Sequence, residues 1–196
     1  MLLEIELSQN DNLEVQFAAQ VLQDLTVKFD LEPFLFTRRI RLDPSLGRGG
    51  VSHPTLSLGI LHAREPDRFL SVFLHEQMHW FLCTCDLKAV NAAIDEFRLG
   101  WSNAPDSSMC DEVGVDEYST YLHFAVNWLE LDCLSTLLGT VRAREVLSSH
   151  SFYRWINSCI LRDTDKVADV MYRHGLLRQD ADLLRLNQNL YNNEDC

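Results

Sequence analysis

The sequence predicts an α+β fold in one domain. Short strand-like runs crowd into the part of the chain before Pro66, and helical periodicity occupies almost everything after it. At 196 residues, with 46% apolar and 23% charged side chains, the chain has the length and composition of a single globular domain. We place that domain at residues 1–190 and expect the acidic end, 191–196, to fray. A chain this long buries a sizeable core without help, so a metal, if one is bound, is there for chemistry.

Leu2 to Leu7 reads LLEIEL, an alternation that predicts a first strand. From Asp11 to Lys28, Leu13, Val15, Phe17, Ala18, Val21, Leu22, Leu25 and Val27 recur mostly at helical spacing. Pro33 breaks that pattern, and Phe34 to Leu42 predicts a second strand. The glycine-rich run Gly47-Arg48-Gly49-Gly50 reads as a flexible connection without the context of a phosphate loop. His53 to Gly59 predicts a third, short strand. Pro54 gives it edge character, because proline cannot donate to a central ladder. The expectation is a small N-terminal sheet of about three strands.

Pro66-Asp67 opens a helix, with proline tolerated in the first turn and aspartate favoured by the helix dipole. It runs to about Cys83. Further helices are expected at Leu87 to Leu99, Val115 to Leu138, Val141 to Ser148 and Phe152 to His174, with a polar tail after Gly175. The C-terminal half is therefore helical.

A net charge of −12 repels phosphates and anionic lipid, so no nucleic-acid partner is expected. Arg38-Arg39-Ile40-Arg41, the one basic cluster, reads as a solvated strand edge. No apolar run approaches the roughly 20 residues of a membrane span, and no export signal precedes Glu4, so no membrane partner is expected. The six cysteines lie mostly in helical contexts and read as reduced thiols of a cytoplasmic protein. Oligomeric state is left open.

His75-Glu76-Gln77-Met78-His79 carries the chemistry. On a helix, histidines four apart project from one face and can reach one zinc at about 2.0–2.1 Å. Glu76, about 100° round the helix, is placed to take a proton from a water in the metal's open position, whose pKa zinc lowers toward about 7. The motif, within a predicted helix that follows an edge-like strand, resembles the zincin metallopeptidases over Phe34 to about Leu138. That resemblance implies His75 and His79 as zinc ligands, Glu76 as general base, and an edge strand at His53 to Gly59 that pairs with an extended peptide.

The third ligand lies farther on. A metzincin extension would need glycine and histidine where the chain has Leu82 and Cys85. On the Val115 to Leu138 helix, Val126, Ser119, Leu137, Leu134, Cys133 and Leu122 define an apolar face with His123 and Glu130 in its middle. Asn127 and Asp116 lie at its border, while Tyr121, Trp128, Glu117 and Asp132 point the other way. His123 and Glu130 are about 10 Å apart along the axis, too far to share one ion. The order in the thermolysin-like group, ligand first and supporting acid after, favours His123 as ligand, with Glu130 or Asn127 orienting an imidazole. That group's own ligand is a glutamate, so Glu130 stays the alternative third ligand.

Cys83, four residues after His79, continues the His75–His79 stripe; it is a conceivable thiolate ligand, but two turns from His75 it reads as a small core residue. A donor for a developing oxyanion is sought among Tyr118, Tyr121, His150, Tyr153, Arg154 and His174, and the sequence does not choose. The expected activity is zinc-dependent hydrolysis of a peptide or protein substrate. A zinc hydrolase of a non-peptide amide and a catalytically silent binding module are the alternatives.

Overall fold

In a computed structural model of the chain, residues 3–109 and 111–178 are described. The last part of the 1–190 domain and the tail expected to fray lie outside them. The architecture is α+β: a small mixed sheet built from the N-terminal quarter packs against a helical body.

The sheet has four strands, one more than the sequence announced: β1 (Glu4–Leu7), β2 (Arg39–Leu42), β3 (Gly50–Val51) and β4 (Leu56–Leu58), in the order β1-β2-β4-β3. β1, β2 and β4 are mutually parallel, and β3 runs antiparallel to β4 with Gly50 opposite Leu58. The strand preceding the motif helix is therefore interior rather than an edge. The edge on this side is β3, formed by the glycine-rich run that reads as a connection. Pro54 is compatible with this because it lies outside the paired residues of β4. β2 is shorter than expected, since Glu32–Phe34 forms a single 3-10 turn around Pro33. Arg39 and Arg41 alternate with buried Ile40 and Leu42, so the basic cluster lies on the solvent face of an inner strand, not on an edge.

Helix α1 (Leu13–Lys28) starts where the Asn12 side chain accepts the amides of Glu14 and Val15. It buries Val15, Ala18, Val21, Leu22 and Leu25, while Leu13, Phe17 and Val27 of the predicted set are exposed because they fall off that face. α2 (Pro66–Thr84) is packed on almost every side from Phe69 to Met78. It touches β3 and β4 on one flank and α4 (Glu117–Leu138) on another. α3 (Leu87–Gly100), α5 (Thr140–Ser148), α6 (Arg154–Arg162) and α7 (Thr164–Arg173) surround α4. Because α4 has neighbours all round, Tyr121 and Trp128 are buried too, against the one-sided face read from periodicity.

The helix expected from Phe152 to His174 is two. Asp163 leaves the α region at φ −116° and ψ 35°, where its carboxylate accepts Trp101 Nε1–H at 3.0 Å. The Thr164 hydroxyl donates back to Ile160 O at 2.8 Å. Tyr153, just before α6, stands at φ 56°, a left-handed conformation that costs an ordinary residue free energy. Cys83, expected in the core, is exposed together with Thr84 on the outer side of the last turn of α2, whose Phe81 and Leu82 are the residues that stay buried.

The centre of the helical body is Phe124, fully buried and ringed by Phe97, Trp101, Tyr121 and Trp155 at centroid distances of 5.1 to 5.9 Å. Truncating it removes the transfer free energy of the ring and leaves a cavity. Phe124→Ala should cost about 3–5 kcal/mol in urea denaturation, and a cost under about 1 kcal/mol would contradict this packing.

Candidate metal centre

His75 and His79 project from one face of α2, and α4 brings His123 against them. Ring centroids are 5.0 Å apart for His75 and His79, 5.4 Å for His75 and His123, and 5.1 Å for His79 and His123. One ring nitrogen from each lies within 4.8 Å of the others, a group that can hold a metal ion.

The groups behind the rings decide which nitrogens are free. His75 Nδ1 faces Glu130 Oε2 at 3.0 Å, and a carboxylate only accepts, so Nδ1 carries the proton and Nε2 the lone pair. His123 Nδ1 likewise donates to the Ser119 carbonyl at 2.6 Å. His79 has no hydrogen-bond partner among the described residues. Burial, followed by the charges of His75, His123 and His53, lowers its pKa to about 2. Burial and the His75 charge lower that of His123 to about 3. Both rings are thus neutral and hold a lone pair at physiological pH. Burial disfavours the His75 imidazolium as well, but the Glu130 hydrogen bond and the charges of Glu76 and Glu130 leave its pKa raised. Three convergent imidazoles, those of His75 and His123 oriented from behind, fit the donor set of a metal site with a supporting layer.

Glu130 is part of that supporting layer and does not join the nitrogen cluster. It is 2% exposed and also accepts from the Ser71 hydroxyl, while His150 Nε2 lies 3.4 Å from Oε1. Burial would raise its pKa; the hydrogen bonds from His150 and His75 outweigh this and hold it at about 2. Asn127, the other residue expected to orient an imidazole, bonds Asn157 instead, at 2.7 Å.

Glu76, one residue from His75, is 5% exposed and lies under β3. Gly50 permits this: a Cβ there would stand 2.6 Å from Glu76 Oε1. Burial raises the Glu76 carboxyl to about 7, ahead of the opposing charge of His75 and the like charge of Glu130. Tyr153 stacks on His123 at 4.1 Å and on His75 at 5.7 Å, and burial with the Glu76 and Glu130 charges raises its hydroxyl to about 12. His75, Glu76 and Tyr153 share a cavity of about 220 Å³. A wider hollow of about 750 Å³, between the start of α2 and the α4–α5 turn, contains no histidine. The smaller one is where His75 of the nitrogen cluster and Glu76 meet open space.

Of the remaining oxyanion-donor candidates, Tyr118 bonds Asn91, Tyr121 bonds the Trp101 carbonyl, and Arg154 and His174 pair with Glu112 and Glu96. His53 stacks on Trp80 at 4.3 Å and approaches Cys83 Sγ at 3.5 Å. Sequence reasoning missed Ser71, Ser119, Gly50 and Gln77. Gln77 Oε1 accepts the amides of Phe36 and Thr37, and its Nε2 donates to the Thr37 carbonyl, fixing the lead into β2. Only the glycine-rich run and the hydroxyl four residues before His123 hinted at any of these.

Two outcomes follow from this arrangement. Removing the carboxylate behind His75 should leave one metal ion per chain in Glu130→Gln but weaken its affinity about 10–100-fold. His123→Ala should abolish stoichiometric binding. Competition with a chelator reads both, and unchanged affinity in Glu130→Gln would contradict a supporting role. In the metal-free protein, a carboxyl depressed from 4.5 to about 2 stabilises the fold fully above 4.5 and loses that contribution as pH falls toward 2. The stability difference between wild type and Glu130→Gln should therefore shrink over that window, as measured by denaturant titration at a series of pH values.

Comparison with known protein families, with curated proteins and with solved structures returned no match.

Proposed function

We propose that the chain is a zinc-dependent hydrolase of the zincin type, acting on peptide bonds, with His75, His79 and His123 as ligands and Glu76 as general base. The observation that carries this reading is the convergence of the His75, His79 and His123 rings, with the Glu76 carboxyl, raised to about 7, beside His75 in the wall of a cavity. A purely structural metal site has no need of that carboxyl. Nor does it need a cavity at its side.

Zinc, when bound there, supplies a Lewis acid and makes a neighbouring water acidic near neutral pH. Glu76 accepts a proton as the water oxygen attacks the substrate carbonyl carbon. It returns that proton to the amine nitrogen as the carbon–nitrogen bond breaks. The Tyr153 hydroxyl stays protonated throughout and is the candidate donor to the oxyanion, since its ring packs on those of His123 and His75. The outer edge of β3, beside Glu76, offers backbone groups to an extended peptide.

No described helix is long and apolar enough to cross a membrane, and Cys83, Cys85, Cys133 and Cys159 are free thiols. We take the cytoplasm as the place of action on the thiols, and a protein or peptide rather than a nucleic acid as substrate on the net charge of −12.

The deciding experiment is cleavage of a mixed peptide library by zinc-loaded protein. Wild type should cleave, and Glu76→Gln should keep its zinc while losing about 10²–10⁴ in rate. Equal cleavage by both proteins would remove Glu76 from the mechanism. Cleavage by neither would favour a binding module or a non-peptide amide as substrate.

A further inference from the structure

The cavity that meets His75 and Glu76 extends past them to Asn127 and Asn157. Asn127 is 1% exposed, and its Nδ2 donates to Asn157 Oδ1 at 2.7 Å. Asn157 Nδ2 in turn faces the Leu147 and Phe152 carbonyls, each at 3.4 Å. This chain fixes the sense of the Asn127 amide, since turning it over would set its oxygen against Asn157 Oδ1. Asn127 Oδ1 is left a buried acceptor without a donor. Buried acceptors are almost always paired, so one without a partner among the described residues, carried by a residue that lines a cavity, points to a donor that enters that cavity.

We propose that this wall is a substrate subsite for a neutral side chain bearing an N–H or O–H donor: asparagine, glutamine, serine or threonine beside the scissile bond. The proposal rests on the peptidase reading above and specifies its substrate. About 220 Å³ is room for a side chain and falls below the roughly 300–1,000 Å³ of small-molecule sites. An apolar side chain would cover Asn127 Oδ1 without pairing it. A carboxylate brings only acceptors and would set its oxygens against Asn127 Oδ1 without pairing it. Lysine and arginine are opposed by Arg48, which also lines the cavity. A site with a buried hydrogen-bonding group rejects the isostere that lacks the complementary group, because the protein's own group is then left unpaired.

Asparagine hydroxamate and leucine hydroxamate test this, since their side chains are near-isosteres and both carry a zinc-anchoring group. Calorimetry on the zinc-loaded wild type should show the asparagine compound bound about tenfold or more tightly. Asn127→Leu should keep its zinc and lose that preference. If Asn127→Leu does not fold, Asn127→Ala removes the acceptor without added bulk and carries the same comparison. Equal or tighter binding of the leucine compound by wild type overturns the subsite while leaving the metal centre standing. A preference that survives in the variant overturns the assignment to Asn127. Binding of neither compound by protein that holds its zinc overturns the subsite.

Discussion

The hydrogen bond between His75 on α2 and Glu130 on α4 is the contact on which the rest of the structure turns. Both residues sit in the packed middle of the domain, where an ionised carboxylate is tolerated only with several good partners. Glu130 has three, from His75, Ser71 and His150. Breaking such a set by removing one partner costs about 3–5 kcal/mol, so α2 and α4 are held in one register. That register is also what carries His123 up to His79. The contact that satisfies the buried acid therefore sets the geometry of the imidazoles.

The residues of the motif each face a different neighbour, which is why α2 has almost no solvent face. His75 looks to α4 and Glu76 to Gly50 in β3. Gln77 holds the chain before β2, Met78 meets Cys133 at 3.6 Å, and His79 closes the nitrogen cluster. A helix whose consecutive side chains are all engaged cannot rotate or slide without breaking several contacts together. The site is held on rigid elements, as preorganised chemistry requires.

How much of this could be read in the sequence depends on how local the signal was. The spacing of His75 and His79 is a property of one helix and was fully legible. So was the distance along the axis from His123 to Glu130, which separates a residue in the nitrogen cluster from one behind it. The α4 face was only half legible. Periodicity finds a buried stripe when one side meets water, and α4 meets protein all round, so Tyr121 and Trp128 gave no sign of being buried. β3 is two residues long and begins with a glycine, too short for alternation to register. The break at Asp163 is held by Trp101, 62 positions away, and Gln77 works on a segment 40 positions before it. Such long-range bonds leave no trace in a local pattern.

The two glutamates of the site differ in environment rather than in kind. Glu130 lies among donors and is held at about 2, while Glu76 has burial and no hydrogen-bond donor among the described residues and rises to about 7. One carboxylate stays fixed as an anion, and the other can gain and lose a proton at working pH, a division that marks acid–base sites. The separation arises because Ser71 and His75 are both on the Glu130 side of α2, one turn apart, while Glu76 faces a backbone glycine. A cation among the three imidazoles would add positive charge next to Glu76 and draw its pKa down from about 7, favouring the ionised base. Substituting a larger residue at Gly50 would push on that carboxylate without touching an imidazole. Glu76 and the imidazoles are thus separable by mutation, although Glu76 and His75 are adjacent in sequence.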